Sequence, residues 1–521
     1  VTLSELTQRL KHLDFRALGD FLQIRPGLQW LPYALGALVV GFTAVFYSTA
    51  FQRAITSAQA MADSNPLLFL VTAPMFFLVS AWLVARFAPS AGGLGVPTVI
   101  AALESADASA ASNAMRPKVA LIVILSSIMA ILGGSALGRE GPMVLIAACL
   151  FSAVGHAFRR VWPEHDSRSW IVAGGAAGLA AAFQTPLAGV VFVLEELAQK
   201  HYREFKTYVM SAIVVAGLIA QWLYGRYLFL GYAKVDSVPP STVGWAIVVA
   251  VGCGSLVFAF FLARRRLGRA LRSRLGDNYF VRAAAIGGAV GLLAVVEPRT
   301  IGGGIGTVES LLFGNEHPPL LVPFVTRFFS TVLSHLSGVA GGFLAPALSL
   351  GAMFGSAVSR AFGVGHHNLL VLCGMAAFLG AMNRAPFTAL VVVMEMTDGH
   401  AAIFPLMLSA VVGNATLSLL LKDAARRNAP LERGYGRRAP VEPCPDSAAP
   451  GLIVSNDRTT AEPTREPDGE SPRALEPHFE ESLEGLKPFD EQGEERTQPV
   501  IDPYARKRDT GEGAKGEGTD G

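Results

Sequence analysis

Two short motifs in this sequence have the residue types and spacing to handle an anion. Gly138-Arg139-Glu140-Gly141-Pro142 and Gly342-Phe343-Leu344-Ala345-Pro346 each open on a glycine, reach a proline four residues later, and run on into an apolar stretch. Proline suits the first turn of a helix, because its missing N–H would lack a partner there in any case. The same turn leaves free backbone N–H groups and about half a positive charge at the helix N-terminus. Two such ends aimed at one point bind an anion without any full positive charge. That favours conduction, since a lysine or arginine in low dielectric would hold the ion too tightly to release it. Taken singly, each motif is equally compatible with an ordinary proline-started helix. A second feature is the pair Glu195-Glu196, which closes an apolar segment. A carboxyl in such a helix can accept protons, or it can pair with Lys200 at the helix end. On a helix the two side chains point about 100° apart, so only one need face a pathway.

An internal repeat ties the first two motifs together. Residues 173–196, AGGAAGLAAAFQTPLAGVVFVLEE, align without a gap on residues 373–396, CGMAAFLGAMNRAPFTALVVVMEM, at an offset of 200. Gly174, Pro186 and Glu195 meet Gly374, Pro386 and Glu395. Upstream, residues 138–142 lie over 342–346 at an offset of 204, and Gly93-Leu94-Gly95 answers Gly304-Ile305-Gly306. Three segments recurring in one order imply two related halves. Transporters built this way often have the halves inverted, with the substrate at their interface among broken helices.

The elements that must position these motifs are membrane helices. Of 521 residues, 51% are hydrophobic and 16% charged, with a mean hydropathy of +0.41; soluble domains carry about 25% charged residues. Apolar runs at Trp30–Phe46, Leu67–Val84, Val119–Leu132, Ser211–Leu228 and Trp245–Ala263 approach or reach the roughly 18 residues that span a bilayer. Others, at 143–154, 171–183, 187–194, 368–382 and 387–394, are shorter and bounded by Gly and Pro. Helices that stop inside a membrane are tolerated where they line a protein cavity, which points to a transporter or channel rather than an anchor. No cleavable leader is visible in the polar first 18 residues. The four cysteines, Cys149, Cys253, Cys373 and Cys444, have neither metal nor disulfide spacing.

Net charge is +2, but residues 441–521 carry about 20 acids and 9 bases, which leaves the rest of the chain about 13 positive charges in excess. Those bases gather at the ends of apolar runs: Arg159 and Arg160; Lys200, Arg203 and Lys206; Arg264 to Arg274; Lys422, Arg426 and Arg427. The positive-inside rule places these loops in the cytoplasm, and their position after apolar spans argues topology rather than nucleic-acid binding. The predicted organisation is an amphipathic N-terminal segment at 1–27 (Leu3, Leu6, Leu10 and Leu13 at helical spacing, Thr2 with Glu5 as a capping box), a first membrane repeat at 28–235, a second at 236–435, and an acidic tail at 436–521 too polar to form a core.

From 28 to 422 the chain resembles the CLC family of chloride channels and proton/chloride exchangers. The resemblance rests on AGGLGVP at 91–97, GREGP at 138–142, GGFLAP at 341–346, the glutamate pair after GVVFVLEE, and RAPFTALVVVMEMTD at 384–398. It implies an all-α integral membrane fold of two related, inverted repeats of short, tilted and broken helices. It also implies a homodimer in the plasma or inner membrane, with both termini cytoplasmic and one anion pathway in each subunit. By position, the amides around Gly138, Arg139 and Gly141 and those of Phe343, Leu344 and Ala345 would bind chloride, with Leu94 in the first signature. Glu140 would be the gate, competing with the anion when ionised and swinging away when protonated; a structural cap is the plainer alternative. Glu196 would be the inner proton acceptor that exchangers carry, with Glu195 the weaker candidate. Two departures stand out. Leu94 replaces a serine whose hydroxyl the family points at the central anion, and the tyrosine supplying a second hydroxyl is matched only loosely by Tyr435, after Ala429-Pro430-Leu431-Glu432. Proton-coupled exchange is the favoured reading, with a passive channel or an exchanger of another anion as alternatives. An embedded enzyme would need a constellation such as HExxH, and an ATP-driven pump a P-loop lysine; neither motif is present, and His366-His367 stands alone. No cofactor and no nucleic-acid partner are expected beyond the transported ions and the bilayer.

Overall fold

The computed structural model describes residues 30–92, 95–105, 114–158, 167–197, 206–225, 228–235, 239–276, 278–314 and 319–426. The N-terminal segment 1–27, Leu94, Lys200, Tyr435 and the tail 436–521 lie outside them.

Among the described residues sixteen α-helices form two series of eight. The first is α1 (Leu31–Ser64), α2 (Phe69–Phe87), α3 (Gly95–Glu104), α4 (Pro117–Leu132), α5 (Glu140–Phe158), α6 (Ser167–Phe183), α7 (Pro186–Phe192) and α8 (Lys206–Tyr224). The second is α9 (Pro240–Leu275), α10 (Tyr279–Val296), α11 (Ile305–Phe313), α12 (Leu321–Leu336), α13 (Leu344–Ala361), α14 (His367–Asn383), α15 (Pro386–Thr397) and α16 (Ile403–Arg426). A π-helical turn, Val193–Leu197, continues α7. Each helix of the first series has a counterpart eight places later. Even the breaks match: Gln184 (φ 58°) and Arg384 (φ 57°) end α6 and α14 in the left-handed conformation, and Pro186 and Pro386 then start the next helices.

Seven of these helices, α1, α2, α5, α8, α9, α10 and α16, are long and apolar enough to cross a membrane. Their outer faces carry Phe46, Val71, Trp222 and Phe404, all at least 70% exposed, as a lipid-facing or partner-facing surface requires. The helices run further than the apolar runs in the sequence: α1 continues to Ser64, α9 to Leu275, and α5 extends the 143–154 run to nineteen residues. Backbone i→i−4 bonding continues past the last apolar residue wherever polar side chains reach water or an internal cavity. In contrast, α6 and α14 are wrapped by other helices and buried nearly all round. Small residues allow that. A Cβ on Gly351 would collide with the carbonyl of Gly374, and one on Gly374 with that of Gly351, so α13 and α14 cross backbone to backbone.

The two halves are inverted with respect to each other. Backbone N–H groups in the first turn of α7 donate to the Glu395 carboxylate at the C-terminal end of α15, and those in the first turn of α15 donate to Glu195 in the turn that continues α7. Equivalent helices that cap each other head to tail run antiparallel.

Candidate functional site

The two glycine-proline motifs meet. Gly138 N–H donates to Gly342 O at 2.7 Å and Gly342 N–H donates to Gly138 O at 2.9 Å, an isolated antiparallel bridge between the loops that lead into α5 and α13. Pro142 and Pro346 then fall in the first turns of these helices, as the motifs predict. Close approach demands the glycines. A Cβ on Gly141 would sit 2.9 Å from the Cα of Gly342, and one on Gly342 would sit 2.6 Å from the Gly141 nitrogen. Gly95, at the start of α3, packs just as tightly against the Gly141 carbonyl, so the first signature adjoins the same point. The structure thus joins Gly138, Arg139, Gly141, Phe343, Leu344 and Ala345 into one locus.

Glu140 is 1% exposed and folds back over Gly138. The amides of Glu140, Ala345 and Arg139 face its carboxylate, which therefore occupies the place where both helix N-termini converge. Oε1 lies 3.9 Å from the Arg139 guanidinium, and Oε2 has no hydrogen-bond partner. Arg139 itself stacks over the Phe229 ring at 5.4 Å. Beside them is a cavity of about 650 Å³ whose walls include Gln52, Gln59, Arg139, Glu140, Arg299, Thr307, Ser310 and Ala345. A mobile anion reaching the helix ends from this cavity must displace the carboxylate.

Glu195 and Glu196 do not line that cavity. Both are half-buried in the π turn after α7. The Glu195 carboxylate accepts from Phe387 N–H at 3.1 Å, Thr388 N–H at 2.7 Å and the Thr388 hydroxyl at 2.8 Å. Glu395 accepts from Leu187 N–H at 3.2 Å and Ala188 N–H at 2.9 Å. Among the described residues no cluster of metal-ligating side chains occurs.

Two residues near the site escaped the sequence reading. Arg327, inside α12, is 1% exposed and donates to the carbonyls of Gly302 (2.8 Å) and Arg299, clamping the loop that forms the cavity wall. A lone arginine in an apolar helix was the available signal. His335, near the end of the same helix, bonds through Nδ1 to Thr331 O at 2.6 Å, and its ring lies 5.8 Å from that of Phe343. Its place in the sequence carries no motif.

Comparison with known proteins follows the same outline. A sequence profile described as "Voltage gated chloride channel" matches residues 76–418. The H(+)/Cl(-) exchange transporter ClcA of Klebsiella pneumoniae (strain 342) is 30% identical over 409 residues, covering 73% of this chain and 84% of the relative. That of Salmonella arizonae is 31% identical over the same length and shares. Among solved structures, a slow cyanobacterial Cl-/H+ antiporter superposes with a TM-score of 0.67 at 22% identity, covering 76% of this chain and 98% of that one. A CLC-type fluoride/proton antiporter gives 0.62 at 22%, covering 74% and 95%.

Proposed function

The chain belongs to the voltage-gated chloride channel (CLC) family, and from that premise we propose that it exchanges chloride for protons across a bilayer with Glu140 as the gate. The observation that carries this reading is the Glu140 carboxylate lodged between the N-termini of α5 and α13. An anion and a carboxylate compete there for the same amides. Protonation removes the competitor's charge, so the side chain leaves as chloride arrives, and the proton it carries moves with the cycle. The amides of Gly138, Arg139, Gly141, Phe343, Leu344 and Ala345 form the anion site. Glu196 receives protons at the inner end of α7.

Topology supports these sides. Arginines 264 to 274 at the end of α9 and Lys422 with Arg426 at the end of α16 are cytoplasmic. Inversion then puts the start of α1 in the cytoplasm as well, the Glu195-Glu196 turn near the inner face, and the cavity with Arg299 on the outer face. The apolar face made by Leu187 on α7, Trp222 on α8, Phe387 on α15 and Phe404 on α16, all at least 49% exposed, suits a second copy of the chain, giving a homodimer embedded in lipid. The transported ions are the only ligands this cycle calls for. A passive channel on the same frame is favoured by two departures in the sequence, Leu94, which offers no hydroxyl to a central anion, and the tyrosine matched only loosely by Tyr435.

Purified protein in liposomes tests the proposal. An imposed chloride gradient should drive protons uphill, and Glu140→Gln should keep chloride flux while abolishing proton movement. Chloride flux with no accompanying proton flux in the unmodified protein would establish the channel instead.

A further inference from the structure

The reciprocal caps on α7 and α15 are nearly symmetric, and their differences fall in one place. Leu187, Ala188 and Glu195 correspond to Phe387, Thr388 and Glu395 at the repeat offset of 200. Each carboxylate sits at the positive end of the opposite helix, where a negative charge is favoured. Two amides hold Glu395. Two amides and the Thr388 hydroxyl hold Glu195. The residue after Glu395 is Met396, fully buried in a regular α-helix, whereas the residue after Glu195 is Glu196, half-buried in a π turn. The extra hydroxyl, the π turn and the second carboxylate therefore occur together at one cap and are all missing from the other.

A π turn at a helix end is uncommon and tends to mark a functional site, because the widened turn re-aims its side chains. It needs an anchor, since it replaces well-formed i→i−4 bonds. Glu195 supplies one: it ties the middle of the turn to a separate, fixed helix by three hydrogen bonds to a carboxylate. With residue 195 fastened to α15, the direction of the next side chain is set by the backbone between them.

We infer that Glu195 is a positioning residue for proton transfer, its carboxylate pinning the π turn on α15 so that Glu196 is held toward the proton route. This rests on Glu196 being the inner proton acceptor. Glu395 caps α7 in the same manner but has no acidic neighbour to aim, so it acts on helix packing alone. The protein thus contains its own control for a purely structural cap.

The experiment uses the full chain in liposomes, with chloride and proton fluxes recorded together, for Glu195→Gln, Glu395→Gln, Thr388→Ala and Glu196→Gln. Thr388→Ala reproduces the residue present at the equivalent position, Ala188, and leaves both amide bonds in place, so folding is retained even if the Glu195 variant assembles poorly. One hydrogen bond to a charged group corresponds to roughly a tenfold change in the population it holds in place. Thr388→Ala and Glu195→Gln are accordingly expected to lower the proton-to-chloride ratio severalfold, the second more than the first, with chloride flux maintained. Glu395→Gln should leave the ratio unchanged. Equal ratios in the Glu195 and Glu395 variants, or an unaltered ratio in Thr388→Ala, would overturn the inference. Glu196→Gln separates the two layers of the argument. Persistent proton movement in that variant removes the premise, while its abolition alongside identical behaviour of the two caps removes the positioning role alone.

Discussion

Replacing Gly141 by alanine tests whether the helix ends form a rigid anion site. The added methyl would lie 2.9 Å from the Cα of Gly342 and 3.6 Å from its nitrogen. Non-bonded carbons rest at about 3.5–4.0 Å, so the loops leading into α5 and α13 must part by about 0.6–1 Å. The Gly138–Gly342 bonds, now 2.7 and 2.9 Å, would be drawn to or past the end of the hydrogen-bond range. Because backbone meets backbone here, no side chain can rotate to absorb the methyl. Overpacking of this kind costs about 1–3 kcal/mol. If that strain falls on the anion site, it corresponds to a loss of roughly 5- to 150-fold in flux. The assay is chloride efflux from liposomes, with monodispersity in detergent as the check on folding. Gly244→Ala is the control, since among the described residues no atom beyond its own stretch of helix lies within 4 Å of its Cβ position, and it should match the unmodified protein. A folded Gly141→Ala protein with undiminished flux would refute the idea that the two N-termini must be in contact.

Leu94→Ser, which restores a hydroxyl next to the Gly95 contact, should tighten chloride binding and raise the proton-to-chloride ratio, as read by calorimetry and paired flux recordings. Arg327→Met leaves two carbonyls of the cavity wall without a donor, at roughly 1–3 kcal/mol each, so the thermal midpoint should drop and chloride flux decline. Arg327→Lys should recover only part of both. Ending the chain after residue 440 removes the acidic tail, whose composition cannot bury a core. Purification profile and chloride flux are expected to remain close to those of the full chain.

Much of the frame was legible in the residues because helix breaks have strong local signatures. Pro186 and Pro386, Gly138 and Gly342, and the shared Glu195 and Glu395 mark the same joints twice, and sequence comparison within the chain detects them. The contacts across the halves were not legible. An offset of 204 shows that Gly138 and Gly342 are equivalent but not that they touch. Likewise Glu195 reads as a candidate proton acceptor beside Glu196 until its partners, nearly two hundred residues away, are seen. Helix lengths were underestimated for a physical reason: the half of α1 beyond Phe46 carries Gln52 and Gln59, which face a cavity rather than lipid, and so break the apolar run without breaking the helix.

The inverted repeat also explains why the chemistry is so sparse. Backbone amides can be duplicated by a twofold relation at no electrostatic cost, and both halves present them at one point. Charged side chains that would meet at that point cannot. A second glutamate at position 344, the equivalent of Glu140, would place two carboxylates at a single site, where like charges repel and one of them must stay protonated. Position 344 is leucine. The same holds at four further pairs on the repeat offsets: Arg139 answers to Phe343, Arg327 to Val123, His335 to Ile131, and Glu196 to Met396. In each of these a polar or ionisable residue in one half stands opposite an apolar residue in the other, whereas Glu195 and Glu395, acidic in both halves, cap two different helices and share no site. A strictly symmetric path would be blind to direction, offering the same gate to both faces of the membrane. In the proposed cycle, confining Glu140 to the half whose cavity is assigned to the outer face and Glu196 to the end of α7 assigned to the inner face would give the proton a route with two distinct ends, while chloride would use amides contributed equally by both halves.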